Sequence, residues 1–264
     1  MHYTMLVMKN KLAIPTVRHR WDVSPERAVA IQQELRKHWI GEDRFSKIRT
    51  VAGLDAAFVL TGSQALKKPV NHWSALRVAN QAIGCVVLYG YPEMVELQRA
   101  CAVQPLQFPY LPGLLSFREI PVLLAALAKL KTLPDLMFCD GQGIAHPRRM
   151  GLATHLGIVL NCPTIGCAKS LLMGTHSEPG EKKGNWSPLL DPNNGNELVG
   201  AVLRTKIGVA PLYVSQGHRV SLTTAIRLTL SVTDALRIPR PTRDADRCAA
   251  ETKRHFLLRQ LSEK

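Results

Sequence analysis

Three strand-like stretches come before any alternation of strand and helix, and that order constrains the fold most. They are TVAGLDAAFVL (50–60), AIGCVVLYG (82–90) and MVELQRACAV (94–103). The tripeptide YPE joins the last two closely enough for a hairpin, and a longer basic loop (61–81) joins the first two. The sheet therefore starts as an antiparallel meander.

The pattern then changes. PVLLAALAKLKTL (121–133) reads as an apolar helix, followed by the strand DLMFCD (135–140). MGLATHLGIVL (150–160) reads as another helix, followed by PTIGCAK (163–169). A Gly/Pro/Asn-rich loop (173–196) leads to ELVGAVLR (197–204), PLYVSQ (211–216) and a helix from Ser221. Alternating strand and helix implies right-handed crossovers and parallel strands. The expected class is α/β, a mixed sheet with an antiparallel start and parallel additions, flanked by helices. Ahead of it, SPERAVAIQQELRKHWI (24–40) reads as a helix. Ser24 suits its cap, Pro25 its first position, and Ala28, Ile31, Leu35 and Trp39 recur every three to four residues. Residues 1–23 read as a basic tail and 24–264 as one domain.

Lys plus Arg number 34 against 20 acidic residues, a formal charge of +14. Such an excess attracts polyanions, nucleic acid first and anionic membrane second. No stretch approaches the ~20 apolar residues of a membrane helix, and the N-terminal segment lacks a signal-peptide core. The six cysteines form no C-x-x-C and no zinc spacing. They read as buried free thiols of a cytoplasmic, monomeric protein.

Asp140 ends an apolar strand, where α/β sheets bind ligands. The glycines that follow, Gly141 and Gly143, are not a dinucleotide fingerprint: His146 stands where a third glycine belongs, and Pro147 follows. They would let another backbone or a base approach closely. Asp55 is the only charge in Val51-Ala52-Gly53-Leu54-Asp55-Ala56-Ala57-Phe58, and a carboxylate inside a central strand needs a metal or a cation. Glu119 lies in Ser116-Phe117-Arg118-Glu119, which matches a capping box. Pro121 argues for a helix start near Arg118 or Glu119 instead, leaving Glu119 to face a site. Three converging carboxylates call for a divalent cation, and hard oxygen ligands favour Mg²⁺ or Mn²⁺ over zinc. Lys169 and His218 both follow strands and could border the same sheet edge.

Together these residues resemble the endonuclease V family of the ribonuclease H-like superfamily. The similarity covers roughly residues 24–250 and runs through Gly53-Leu54-Asp55, PYLPGLLSFREIP (109–121), DGQGIAHPRRMG (140–151), PTIGCAKSLLMG (163–174), GHRVS (217–221) and PTRDAD (241–246). The resemblance implies a ribonuclease H-like fold and Mg²⁺-dependent cleavage (Mn²⁺ as substitute) of DNA beside a deaminated base, chiefly deoxyinosine. The cut falls at the second phosphodiester 3′ to the lesion and leaves 3′-hydroxyl and 5′-phosphate ends. It makes Asp55 and Asp140 metal ligands, with Glu119 positioning metal or water, His218 at the metal site and Lys169 on the scissile phosphate. It makes Pro109, Tyr110, Leu111 and Pro112 a DNA wedge, and Gly113, Leu115, Gly141, His146 and Leu172 the wall of a base pocket. Inosine-containing RNA is the alternative substrate, and a non-catalytic nucleic-acid binder the third reading. Many relatives carry histidine where Gln142 stands; the loop 177–191 is longer than usual, and the tail is extended and basic.

Overall fold

The computed structural model describes residues 19–61 and 78–262. Residues 1–18 of the tail and most of the loop between the first two strands lie outside the described residues. The first helix, α1 (Pro25–Arg36), starts as its residues dictate. Ser24 is the N-cap, its Oγ accepting the Arg27 N–H at 3.3 Å, and Pro25 stands at the first position.

Eight strands form one sheet: β1 (Thr50–Val59), β2 (Gln81–Gly90), β3 (Val95–Pro105), β4 (Leu136–Cys139), β5 (Thr164–Ala168), β6 (Trp186–Asp191), β7 (Glu197–Leu203) and β8 (Leu212–His218). Their spatial order is β3-β2-β1-β4-β5-β8-β7-β6. The antiparallel start is β1–β2–β3. The parallel additions are β4 and β5; β8, β7 and β6 then join antiparallel. The remaining described helices are α2 (Leu115–Leu127), α3 (Leu152–Leu160), α4 (Leu222–Ser231) and α5 (Arg240–Ser262).

Strand alternation divides the core into two layers. Val51, Ile83, Val87, Leu136 and Phe138 pack with Ala225 and Leu228 of α4 and Ala245 and Ala249 of α5. Ala52, Leu54, Val86, Leu88 and Met137 pack on the other face with Ile120, Leu123 and Leu127 of α2 and Leu156 and Val159 of α3. Ala28, Ile31 and Leu35 of α1 pack over Phe117, Met150 and Ile158. No helix among the described residues is long and apolar enough to cross a membrane.

Several expectations need correction. Helix α2 begins at Leu115, not near Glu119, and Pro121 lies inside it. Leu114 caps it without a side-chain bond, and Ser116 Oγ is instead hydrogen-bonded to His155 Nδ1 at 2.9 Å. An interior proline costs about 3 kcal/mol. Phe117, Ile120, Leu123 and Leu127 are each at most 1 % exposed, and at roughly 1.5–3 kcal/mol per buried side chain they outweigh it. The loop 173–196 contains strand β6, whose Pro188 sits where a proline is tolerated, on an edge strand. Residues 19–23 are not a free tail: Trp21 packs on the α2–α3 layer, and His19 Nε2 lies 2.9 Å from His155 Nε2. The cysteines are not all free thiols. Cys85 and Cys101 face each other across β2 and β3 with Cα atoms 4.3 Å apart and are disulfide-bonded. Cys248 Sγ lies 3.2 Å from Cys101 Sγ, and only Cys139, Cys162, Cys167 and Cys248 are free among the described residues.

Candidate active site

β1 lies inside the sheet between β2 and β4. Its Val51 faces the α4–α5 layer, so alternation turns Gly53 and Asp55 the same way. Helix α5 meets β1 at Gly53. A Cβ there would lie 1.9 Å from the Pro241 carbonyl oxygen and 2.5 Å from Thr242 N, so only glycine admits this approach. The contact carries Asp246, on the next turn of α5, toward Asp55.

Asp140 follows β4 directly. Leu54 pairs with Cys139, and the Asp140 N–H donates to the Leu54 carbonyl at 3.4 Å, so Asp140 stands beside Asp55. Lys169 follows β5, the next parallel strand. Its Nζ forms an ion pair with Asp140 Oδ2 and lies 4.0 Å from Asp246 Oδ2. Glu119, in the second turn of α2, completes the group.

The electrostatics show how crowded the acids are. Burial, then the charges of Asp140 and Asp246, push Asp55 up to about 7. Burial, then Asp55 and Asp140, push Glu119 up to about 8. Burial also raises Asp140, and it prevails over the Lys169 ammonium, which pulls the other way. Lys169 itself rises: burial lowers it, but Asp140, Asp246 and Asp55 together outweigh that. No three of these carboxylates bring an oxygen each within 4.8 Å of one another; among the described residues only the sulfurs of Cys85, Cys101 and Cys248 gather that closely. The acids form an open, under-neutralised group of hard oxygen donors, and that donor set fits a divalent cation.

Asp55 and Glu119 have folded values above their ordinary 3.8 and 4.5. The native state therefore binds more protons than the unfolded state, and stability falls as pH rises from about 4 to about 8. Urea unfolding in chelator should show this decline, and millimolar Mg²⁺ should flatten it. A flat profile in chelator would mean the acids are not crowded.

The remaining predicted residues fall in two places. Pro109 and Pro112 are exposed, and Tyr110 and Leu111 are half-buried, so the tip is not absorbed into the core. Gly113, Leu115 and Gly141 are half-buried, His146 is buried, and Leu172 is 49 % exposed. His146 Nε2 lies 3.0 Å from the Gly113 carbonyl, which ties the wedge segment to the 140–151 loop. Gly143 is approached by protein rather than left open: a Cβ there would lie 2.0 Å from the Gln216 carbonyl oxygen. A cavity of about 360 Å³ beside Trp21, Phe117 and Arg118 holds none of the carboxylates.

The structure does not bring His218 to this group. β5 and β8 are antiparallel, and His218 pairs with Thr164, at the end of β5 away from Lys169. Five residues of strand separate the two ends, about 16 Å. His218 Nδ1 instead accepts the Ile40 N–H at 3.3 Å. The acid missed by sequence reasoning is Asp246. The signal was present in PTRDAD (241–246), whose acids sit in a polar stretch that gave no strand or helix end to anchor them.

The family model for endonuclease V matches residues 33–247. This chain belongs to the endonuclease V family. Endonuclease V of Nostoc sp. (strain PCC 7120) is 46 % identical over 233 residues, spanning 88 % of this chain and 96 % of that one. The crystal structure of endonuclease V from Streptomyces avermitilis is 36 % identical with a TM-score of 0.78, covering 93 % of this chain and 100 % of that one. Ciona intestinalis endonuclease V, crystallised with a 24mer DNA containing an inosine followed by a ribo-adenosine, is 30 % identical with a TM-score of 0.71, covering 88 % and 98 %. An endonuclease V is a nuclease, and the ribonuclease H-like sheet described above is the fold these structures share with this chain.

Proposed function

We propose that this endonuclease V is a Mg²⁺-dependent DNA repair enzyme acting as one catalytic domain. It recognises deaminated bases, deoxyinosine above all, and hydrolyses the second phosphodiester 3′ to the lesion, leaving 3′-hydroxyl and 5′-phosphate ends. The observation that carries this is the convergence of Asp55, Glu119 and Asp140, with Asp246 and Lys169 beside Asp55 and Asp140. The inosine-containing DNA bound by the Ciona relative supports the substrate class.

Asp55 and Asp140 would hold the ion, with Glu119 and Asp246 beside them. Bound there, Mg²⁺, or Mn²⁺ in its place, supplies the charge that activates water and stabilises a leaving oxygen. Lys169 brings an ammonium to the same edge, and its role is to hold the scissile phosphate. A base must leave the stack to be inspected, and mispaired inosine leaves most easily. The tip Pro109-Tyr110-Leu111-Pro112 is stiffened by its prolines, as a wedge that unstacks base steps must be. Hypoxanthine offers N1–H and O6 but no exocyclic amine, so a close wall at Gly113, Leu115, Gly141, His146 and Leu172 can accept it and exclude guanine.

A nicking assay with Mg²⁺ on matched DNA and RNA strands, each with one inosine, tests the reading. Cutting of the DNA immediately after the lesion's 3′ neighbour, at the second phosphodiester, is expected. Cutting of RNA alone would make the chain an endoribonuclease, a reading the ribo-adenosine of the Ciona complex keeps in view; no cutting of either would leave a binder. Tyr110→Ala should weaken binding to the inosine duplex roughly tenfold, on the scale of one base–aromatic stack, and undamaged duplex far less. Equal losses would reduce Tyr110 to packing.

A further inference from the structure

The segment ending the wedge is held by His146 and by two residues with no assigned role, Gln32 and Arg148. Leu111 to Leu114 form a turn closed by the Leu114 N–H to the Leu111 carbonyl at 3.0 Å. Pro112 and Gly113 occupy its centre, and Gly113 has φ +78°, the arrangement of a type II turn. Three side chains meet the Gly113 carbonyl oxygen: Gln32 Nε2 at 3.1 Å, His146 Nε2 at 3.0 Å and Arg148 Nη2 at 2.7 Å.

They come from two parts of the fold: Gln32 from α1, and His146 and Arg148 from the 140–151 loop. Gln32 is fully buried on α1, and its amide also donates to the Met150 carbonyl at 3.2 Å. Its Oε1 accepts from Arg148 Nε at 2.5 Å. His146 Nδ1 lies 3.2 Å from the Arg148 N–H and accepts it, so Nε2 carries the hydrogen and donates to Gly113. Burial and the neighbouring Arg148 push His146 down to about 4, so the ring is neutral and keeps this tautomer. A carbonyl has two lone pairs. Three donors at one oxygen, one a guanidinium, exceed what a turn needs to be satisfied.

We propose, on the lesion-nicking reading above, that Gln32 and Arg148 are positioning residues that set the wedge turn before DNA arrives. They link α1 and the 140–151 loop to the Gly113 carbonyl. Their effect is on recognition: a pre-set wedge lowers the ordering cost of engaging the lesion. Arg148→Lys loses the fork that reaches Gln32 and Gly113 together. Gln32→Leu keeps the volume and removes both donors and the acceptor.

Two measurements on the full chain test this. In the DNA-free protein, amide exchange at Leu114, whose N–H closes the turn, should speed up roughly tenfold in each variant, about 1.4 kcal/mol of local opening. In single-turnover nicking of a duplex with one deoxyinosine, each variant should raise the half-saturating enzyme concentration roughly tenfold and leave the maximal rate within about threefold. Combining Arg148→Lys with Tyr110→Ala should cost no more than Tyr110→Ala alone, because both act through one wedge. Unchanged exchange at Leu114, or fully additive losses, overturns the proposal. So does a fall in maximal rate at unchanged half-saturation. If wild type fails to nick the inosine duplex, the lesion-nicking reading falls, and the exchange measurement still decides whether the two residues hold the turn. A variant with lost circular dichroism signal shows that its residue maintains the fold rather than the wedge, and counts against the proposal.

Discussion

Asp140→Ala should reduce Mg²⁺-dependent nicking of inosine-containing DNA by roughly a thousandfold or more, the scale on which metal and electrostatic catalysis operates. The protein should remain folded. Asp140 is one of four neighbouring acids, and its removal lowers the repulsion on Asp55 and Glu119. Lys169 loses its ion-pair partner but retains Asp246 at 4.0 Å. These opposing terms should hold the thermal midpoint within about 4 °C of wild type, the shift expected of roughly 1 kcal/mol in a domain of this size. An active Asp140→Ala enzyme would remove Asp140 from the chemistry. An unfolded one would make its role structural.

The largest stability effect should come from Gly53→Ala. The added Cβ would stand 1.9 Å from the Pro241 carbonyl oxygen, and both partners are backbone, so no side chain can swing aside. Either α5 withdraws from β1 or the sheet distorts. A loss of roughly 3 kcal/mol or more is expected, at the upper end for overpacking. The urea midpoint should fall accordingly, and nicking should fall with it as Asp246 moves. An unchanged midpoint would mean that α5 does not rest on β1 in solution.

Asp55 was legible because a lone charge in an apolar run has few stable explanations, and Asp140 because it ends a strand. What failed was direction. Lys169 follows β5 and His218 ends β8, and both end at one sheet edge only if the strands run parallel. β8 runs antiparallel to β5, so the two ends point away from each other. Helix α5 was missed because its inward face uses small residues, Ala245, Cys248 and Ala249, which leave a faint apolar stripe among many charges. The start of α2 was misplaced because Leu114 and Leu115 carry no capping signal, and burial of Phe117 and Ile120 prevails over Pro121. The disulfide depends on the register of the β2–β3 hairpin, which was not read from its turn, and the docking of Trp21 depends on a contact between distant segments.

The contact of α5 with β1 has a consequence for the order of events during synthesis. A ribosome releases Asp55, Glu119 and Asp140 well before Asp246, and domains tend to fold as they emerge. Until α5 emerges, Gly53 and its strand lie uncovered on that face and the fourth acid is missing. The nascent chain can thus build most of its sheet without the complete acid group, which closes only when α5 docks on β1.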